Sequence, residues 1–168
     1  MGLDGKLFIR EGLTRDSHAS HYVLGIVLKD IDEGSEFDQK HGDSVRSAQN
    51  PSELISVLAE QGYDVMLGYE ERNIVGHMAF QEHYDGDEKH WRMFRVFVVP
   101  EYRGRGHMIP LSEQLIAKAK TNSVDVLKLG NEKTGHSKMT KLLGILKDRE
   151  DELGVRVNPQ GHEVNLKP

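Results

Sequence analysis

Apolar positions change period several times along the chain, and each change marks an element. The run "KLFIREG" from Lys6 is short and β-prone, while "SHYVLGIVLKDI" from Ser20 is apolar at helical spacing. From Asp32 to Gln49 the chain is polar and acidic without apolar period, which leaves a loop or a polar helix open. "NPSELISVLAEQG" then predicts a bounded helix: Asn50 to cap, Pro51 at the first helical position, Glu53 to reach back and Gly62 to stop it. The period drops to two in "DVMLGYEE", "IVGHMAFQEHY" and "WRMFRVFVVP", separated by the turns "RN" and "DGDE", which predicts a three-strand meander. The last strand is apolar on both faces. Strict alternation puts Phe94, Val96 and Val98 on one side, and Trp91, Met93, Phe97 and Val99 on the other, as in a central strand. Arg92 and Arg95 interrupt it, so each should face a carboxylate, a cleft or the less covered end.

Beyond Pro100, "EYRGRG" leads into Met108, Leu111, Leu115, Ile116 and Ala119 at helical spacing, with Pro110 tolerated in the first turn. "VDVLKLG" predicts another strand. Met139, Leu142, Leu143, Leu146 and Leu153 predict a helix ending near Gly154, and "VRVNPQGHEVNL" a hairpin around "NPQG". The class is α/β in the α+β sense. With 168 residues and no internal repeat or linker, a single domain over 1–168 is expected, large enough to bury roughly two-thirds of its unfolded surface.

Composition narrows the chemistry. Against 27 Asp+Glu there are 22 Lys+Arg, a net charge of −5, so a cationic or neutral partner fits better than a nucleic acid or an anionic membrane. There are no cysteines, which removes disulfides, thiolate metal sites and thiol nucleophiles together. No run of eighteen apolar residues occurs, and the first residues lack the long apolar segment of a signal peptide; a soluble cytoplasmic protein is expected.

The loop after Pro100 carries the strongest signal. A central strand that ends in proline, followed by arginine and glycine at a helix start, presents backbone N–H groups that no intrahelical carbonyl can take. Glycine lets an anion approach the backbone, the helix dipole adds about half a positive charge, and arginine supplies charge-assisted donors. The ligand this suits is a diphosphate. A dinucleotide fingerprint would need a third glycine where Ile109 stands, and a nucleotide phosphate loop would need Gly-Lys-Ser/Thr, which is absent.

"VFVVPEYRGRGHM" resembles the acyl-coenzyme A pyrophosphate loop of the GNAT N-acetyltransferase superfamily, Arg/Gln-x-x-Gly-x-Gly/Ala after a Val-x-x-Pro strand. Arg103, Arg105 and Gly106 fall on it, and Met108 stands where the pattern has its last small residue. The order of elements from Lys6 to Leu166 is similar to the GNAT topology as well. The resemblance implies a mostly antiparallel sheet of about six to seven strands, about four flanking helices and a splayed cleft for acetyl-CoA as co-substrate. It implies cofactor contacts from the strand backbone at Phe97, Val98 and Val99 and from the loop at Arg103, Gly104, Arg105, Gly106, His107 and Met108. Asn131 matches the asparagine that often follows the family's fifth strand; alternatively it is a turn residue.

The chemistry implied is acetyl transfer to a primary amine of a small molecule or protein, by direct attack in a ternary complex. It needs a deprotonated amine, a polarised carbonyl and a proton for the thiolate. The tyrosine commonly used as the family's acid is replaced by Lys138, and no tyrosine follows Tyr102. His136, Ser137, Lys138 or water remain, His136 first. Arg92 occupies the strand position where some members carry a glutamate base. Glu82 and His83, at the end of their strand, are the candidates left, or they are ordinary strand-end residues.

The nine histidines show no recognised metal-ligand spacing, so no metal is expected. The acidic run from Asp30 to Asp43 is a solvated face, or it borders a site for a polyamine, aminoglycoside or lysine-rich acceptor. A second class of function stays open, a non-catalytic acyl-CoA-binding or protein-interaction module, favoured by the missing tyrosine and glutamate and by Met108. A monomer and a homodimer paired through the terminal hairpin are equally consistent.

Overall fold

The computed structural model describes residues 2–32, 49–129 and 136–167. They form two compact units, Lys6–Val65 and Met1–Gly5 together with Met66–Pro168.

The unit Lys6–Val65 is mainly helical. The first strand, β1, runs Asp4–Leu7, earlier and shorter than its apolar run predicts. A buried carboxylate accounts for the early stop. Asp64 accepts the backbone N–H groups of Ile9 (2.8 Å) and Arg10 (3.1 Å) and pairs with Arg10 Nη1 at 3.0 Å, taking donors that a longer strand would give to a neighbour. Burial raises the Asp64 pKa above the usual carboxylate value, and these donors and the Arg10 charge offset only part of that rise. Helix α1, Ser17–Asp32, begins three residues before the apolar run because Asp16 Oδ1 accepts the N–H groups of His18 (2.9 Å) and Ala19 (3.2 Å). Helix α2, Pro51–Glu60, has the expected cap: Asn50 Oδ1 accepts from Glu53 N at 2.9 Å, while Glu53 reaches back to Gln49 N at 3.1 Å, one residue before the cap. Val23, Val27, Leu54 and Leu58 are buried around a small apolar cavity of about 80 Å³. The acidic segment at 33–48 lies outside the described residues.

The larger unit carries the sheet. After β1 come β2 (Tyr63–Glu70), β3 (Asn73–Asp85), β4 (Glu88–Val98), β5 (Val126–Leu129), β6 (Arg156–Asn158) and β7 (Glu163–Asn165). Seven strands lie in the order β1-β2-β3-β4-β5-β7-β6. The β3–β4, β5–β7 and β6–β7 pairs are antiparallel and β4–β5 is parallel, so the meander and the terminal hairpin form as the sequence predicts. Helix α3, Met108–Thr121, lies over β1 and β2: Leu111 Cδ1 would be 3.0 Å from a Cβ on Gly68, and the Gln114 amide bonds both Leu3 O and Gly5 N. The last helix divides into α4, His136–Asp148, and α5, Glu150–Leu153, where one helix to Gly154 was expected. The break falls at Arg149 (φ −114°, ψ 15°), whose guanidinium is held by Glu113 and Glu152.

Strand β4 departs from strict alternation. Ala79 pairs with Arg95 but Phe80 pairs with Met93, so Phe94 is an extra residue at a β-bulge. The bulge reverses the parity of everything after it. Trp91 and Met93 share their face with Val96 and Val98, and Arg92 and Arg95 share the other with Phe97, contrary to the alternation expected. The face with Met78, Phe80, Trp91 and Met93 is buried core, continued by Leu127 and Leu129. Arg92 and Arg95 are thereby spared the core and stand half-buried on the opposite face. No helix among the described residues is long and apolar enough to cross a membrane.

Candidate active site

The bulge coincides with a change of neighbours. The parallel ladder of β4 to β5 pairs His90 with Val126 through Met93 with Leu129, where β5 ends. β4 continues to Val98, still paired with β3 up to Gly76↔Val98. Val99 N–H donates to Val75 O at 2.8 Å, so by alternation the N–H and C=O groups of Val96 and Val98 turn away from β3. They face a cleft of about 460 Å³, lined by Val96, Phe97 and Val98, by the following loop and the start of α3, and by Lys141, Leu142 and Ile145 of α4.

The loop folds as a donor array. Pro100–Tyr102 form a single 3-10 turn, after which Gly104 (φ 80°) and Gly106 (φ 74°) take left-handed conformations that a side chain would strain. α3 starts at Met108 without a side-chain cap, so the N–H groups of Met108 and Ile109 find no acceptor within the helix. Pro110 has no N–H to satisfy. The cleft wall thus offers amide donors and the positive end of a 14-residue helix.

Aromatic side chains hold the loop's cations in place. Arg103 Nε donates to Val98 O at 2.8 Å and its guanidinium lies 5.2 Å from the Phe97 ring centre; Arg105 lies 5.3 Å from that of Tyr102. His107 Nε2 stands 3.2 Å from a Glu70 carboxylate oxygen, tying the loop to the end of β2. Of the residues the sequence singled out, Phe97, Val98, Arg103, Gly104, Gly106, His107 and Met108 line one cleft; Val99 and Arg105 flank it in sequence. Asn131 lies outside the described residues, and His136 is the first residue of α4.

Sequence reading missed α4's contribution. Lys141 brings a cation on the side facing the loop, and Ile145 is an apolar residue off the stripe of Leu142, Leu143 and Leu146. That surplus apolar position was the one signal available.

Glu82 and His83 sit together but away from the cleft. Glu82 Oε1 accepts from Trp91 Nε1 at 3.0 Å, on the core face. His83 lies on the other face, its ring centre 5.1 Å from that of His90. Burial, aided by the charges of His90, Lys128 and Arg92, lowers the His83 pKa and keeps the ring neutral to more acid pH. Met93 pairs with Phe80 and Leu129, whereas His83 pairs with His90 beside Val126, so His83 lies three residues, roughly 10 Å, from the last β4–β5 rung on the side away from the cleft.

An open strand edge, uncapped helix amides and two or more cations suit a ligand with an amide-bearing arm and a diphosphate, since the arm can pair like a strand and the diphosphate can take the amides. The family comparison agrees. Residues 29–142, about two-thirds of the chain, match the acetyltransferase (GNAT) family. Among solved structures, the chain is similar to an aminoglycoside acetyltransferase from an uncultured soil metagenomic sample, in complex with trehalose, at 11% identity and a TM-score of 0.54, covering 87% of this chain and 86% of that one. A second aminoglycoside acetyltransferase, also from an uncultured soil metagenomic sample, matches at 17% identity and a TM-score of 0.50, over 80% and 82%. No curated protein matches the sequence. The chain belongs to the acetyltransferase (GNAT) family and is an acyltransferase of that family.

Proposed function

We propose that this chain, acting as one domain over 1–168, transfers an acetyl group from acetyl-CoA to a primary amine. The carrying observation is that β4 runs past the end of β5 and, with the amides of α3, forms one wall of a cleft. The pyrophosphate is assigned to the N–H groups of the Gly104–Met108 loop with Arg103, Arg105 and Lys141 as counter-charges, and the pantetheine amides to the outward backbone of Val96 and the N–H of Val98, whose C=O already accepts from Arg103. This places the thioester near the bulge at Phe94. There the amine nitrogen bonds to the carbonyl carbon, the C–S bond breaks, the amine gives up a proton and the thiolate takes one.

Glu82 and His83 stand too far along β3 to touch an amine at the bulge, so the proton passes to them through water. A thiolate whose parent thiol has a pKa in the usual range near 8.5 leaves without a dedicated acid, which fits a site with Lys138 in place of tyrosine. The acceptor class we propose is a small-molecule amine, as for the aminoglycoside acetyltransferases of similar fold.

Calorimetric titration with acetyl-CoA, followed by thioester turnover with an aminoglycoside, a polyamine and a lysine peptide, tests the reading. Binding that the Arg103→Ala, Arg105→Ala double variant loses, with turnover of at least one amine, supports it. Binding without turnover across the panel would replace it with a non-catalytic acyl-CoA-binding module, and no binding to the folded chain would sink both.

A further inference from the structure

The tip of the β3–β4 hairpin reads "HYDGDEKH", and its register is symmetric about a two-residue turn: His83 pairs with His90 and Asp85 with Glu88. Residues two apart on a strand share a face, so all four side chains project from the same side of the last two such rungs. Lys89 does not join them. Its Nζ is turned to Asn122 O, 3.0 Å away. Ligand atoms of Asp85, Glu88 and His90 lie within 4.8 Å of one another, and His90 Nε2 is 3.0 Å from Glu88 Oε1. Two ligands of one transition-metal ion, each bonded at about 2.1 Å, stand roughly 3–3.5 Å apart, so this pair already has a chelating separation.

A second observation concerns His90 alone. Only 4% of it is exposed, yet outside the cluster neither ring nitrogen has a hydrogen-bond partner among the described residues: Nδ1 has none, and Nε2 has Glu88. Nε2 is therefore the ring nitrogen turned into the cluster, its one partner there an exposed carboxylate, while Nδ1 lies outside the cluster and a cation held at Nε2 leaves it as it is. The two carboxylates beside it are exposed and free to turn.

We propose that the hairpin tip binds a divalent transition-metal ion through His90, Asp85 and Glu88. One imidazole with two carboxylates suits zinc and its first-row neighbours rather than magnesium, which prefers oxygen donors and keeps its waters. The site is separate from the acyl-CoA cleft and does not depend on the function proposed above. It would pin the free end of the hairpin, making strand pairing there depend on metal.

Titration of the full chain with zinc chloride by calorimetry, and with cobalt(II) chloride by visible absorption, tests this. Equimolar binding with the strong visible bands of a low-coordinate cobalt site is expected. The Asp85→Asn, Glu88→Gln variant changes only exposed side chains and keeps the fold. It should lose at least the ~10-fold in affinity that even an outer partner of a metal ligand is worth. His90→Ala should lose binding as well. Zinc bound equally well by the carboxylate variant would overturn the proposal by assigning the ion elsewhere, for example to His18 and His21 on α1, and absence of binding would overturn it outright.

Discussion

The two halves of β4 share one backbone strand and differ in nearly everything else. From Glu88 to Met93 the strand is paired to β3 on one side and β5 on the other, at His90 to Met93 for the latter, and Trp91 and Met93 are buried. From Val96 to Val98 it is paired, among the described residues, to β3 alone, its side chains are half-exposed, and its outward backbone groups face a cleft. Residue type alone does not distinguish them, since both halves present large apolar side chains, Trp91 and Met93 in one and Val96, Phe97 and Val98 in the other. What distinguishes them is where β5 stops and where the bulge falls. A strand left open by its neighbour keeps hydrogen-bonding capacity for a ligand, and the closed half holds that open edge rigid.

The comparison can be broken at either half. Trp91→Ala removes the largest buried side chain and should cost about 3–5 kcal/mol of stability by denaturant unfolding, with acetyl-CoA affinity of the folded fraction unchanged. The Arg103→Ala, Arg105→Ala double variant should do the reverse, holding the unfolding midpoint while weakening acetyl-CoA by ~100-fold, about 2.7 kcal/mol, less so in high salt. Gly76→Ala couples the halves. Its Cβ would meet the backbone oxygen of Phe97 at 2.5 Å, an atom that cannot swing aside, so β3 and the open half of β4 must part; about 2 kcal/mol of stability and some acetyl-CoA affinity should be lost together. An intact affinity there would show that the cleft does not read the β4 backbone. Smallest is Met108→Ala, which lines the cleft without charge and should change acetyl-CoA affinity by less than about threefold.

Much of the molecule was legible in the sequence because local chemistry fixed it. The Asn50 cap, the meander turns and the uncapped start of α3 after two glycines each depend on residues within one turn of each other. The misreadings came from distant partners. Nothing near Leu7 says that its strand ends there; Asp64, far along the chain, supplies the acceptor for Ile9 and Arg10. Nothing in the apolar period announces the bulge at Phe94, because a one-residue insertion against β3 shows only in the register. Arg149 breaks the last helix through Glu113, a residue of α3.

The sequence by itself determined most of the elements, the arginine-glycine loop before α3 and the family resemblance, since helix caps, turn glycines and the arginine-glycine spacing act over a few residues. Tertiary structure alone decided that the described pairing of β5 to β4 ends at Met93, that Lys141 and Ile145 line the same cleft as the loop, and that Glu82 and His83 stand away from it. It also decided that two histidines and two carboxylates with no recognisable ligand spacing share one face of a hairpin. The physical reason is the same in each case. Pairing and burial are contacts between segments far apart in the chain, and a one-residue shift of register changes which side chains meet.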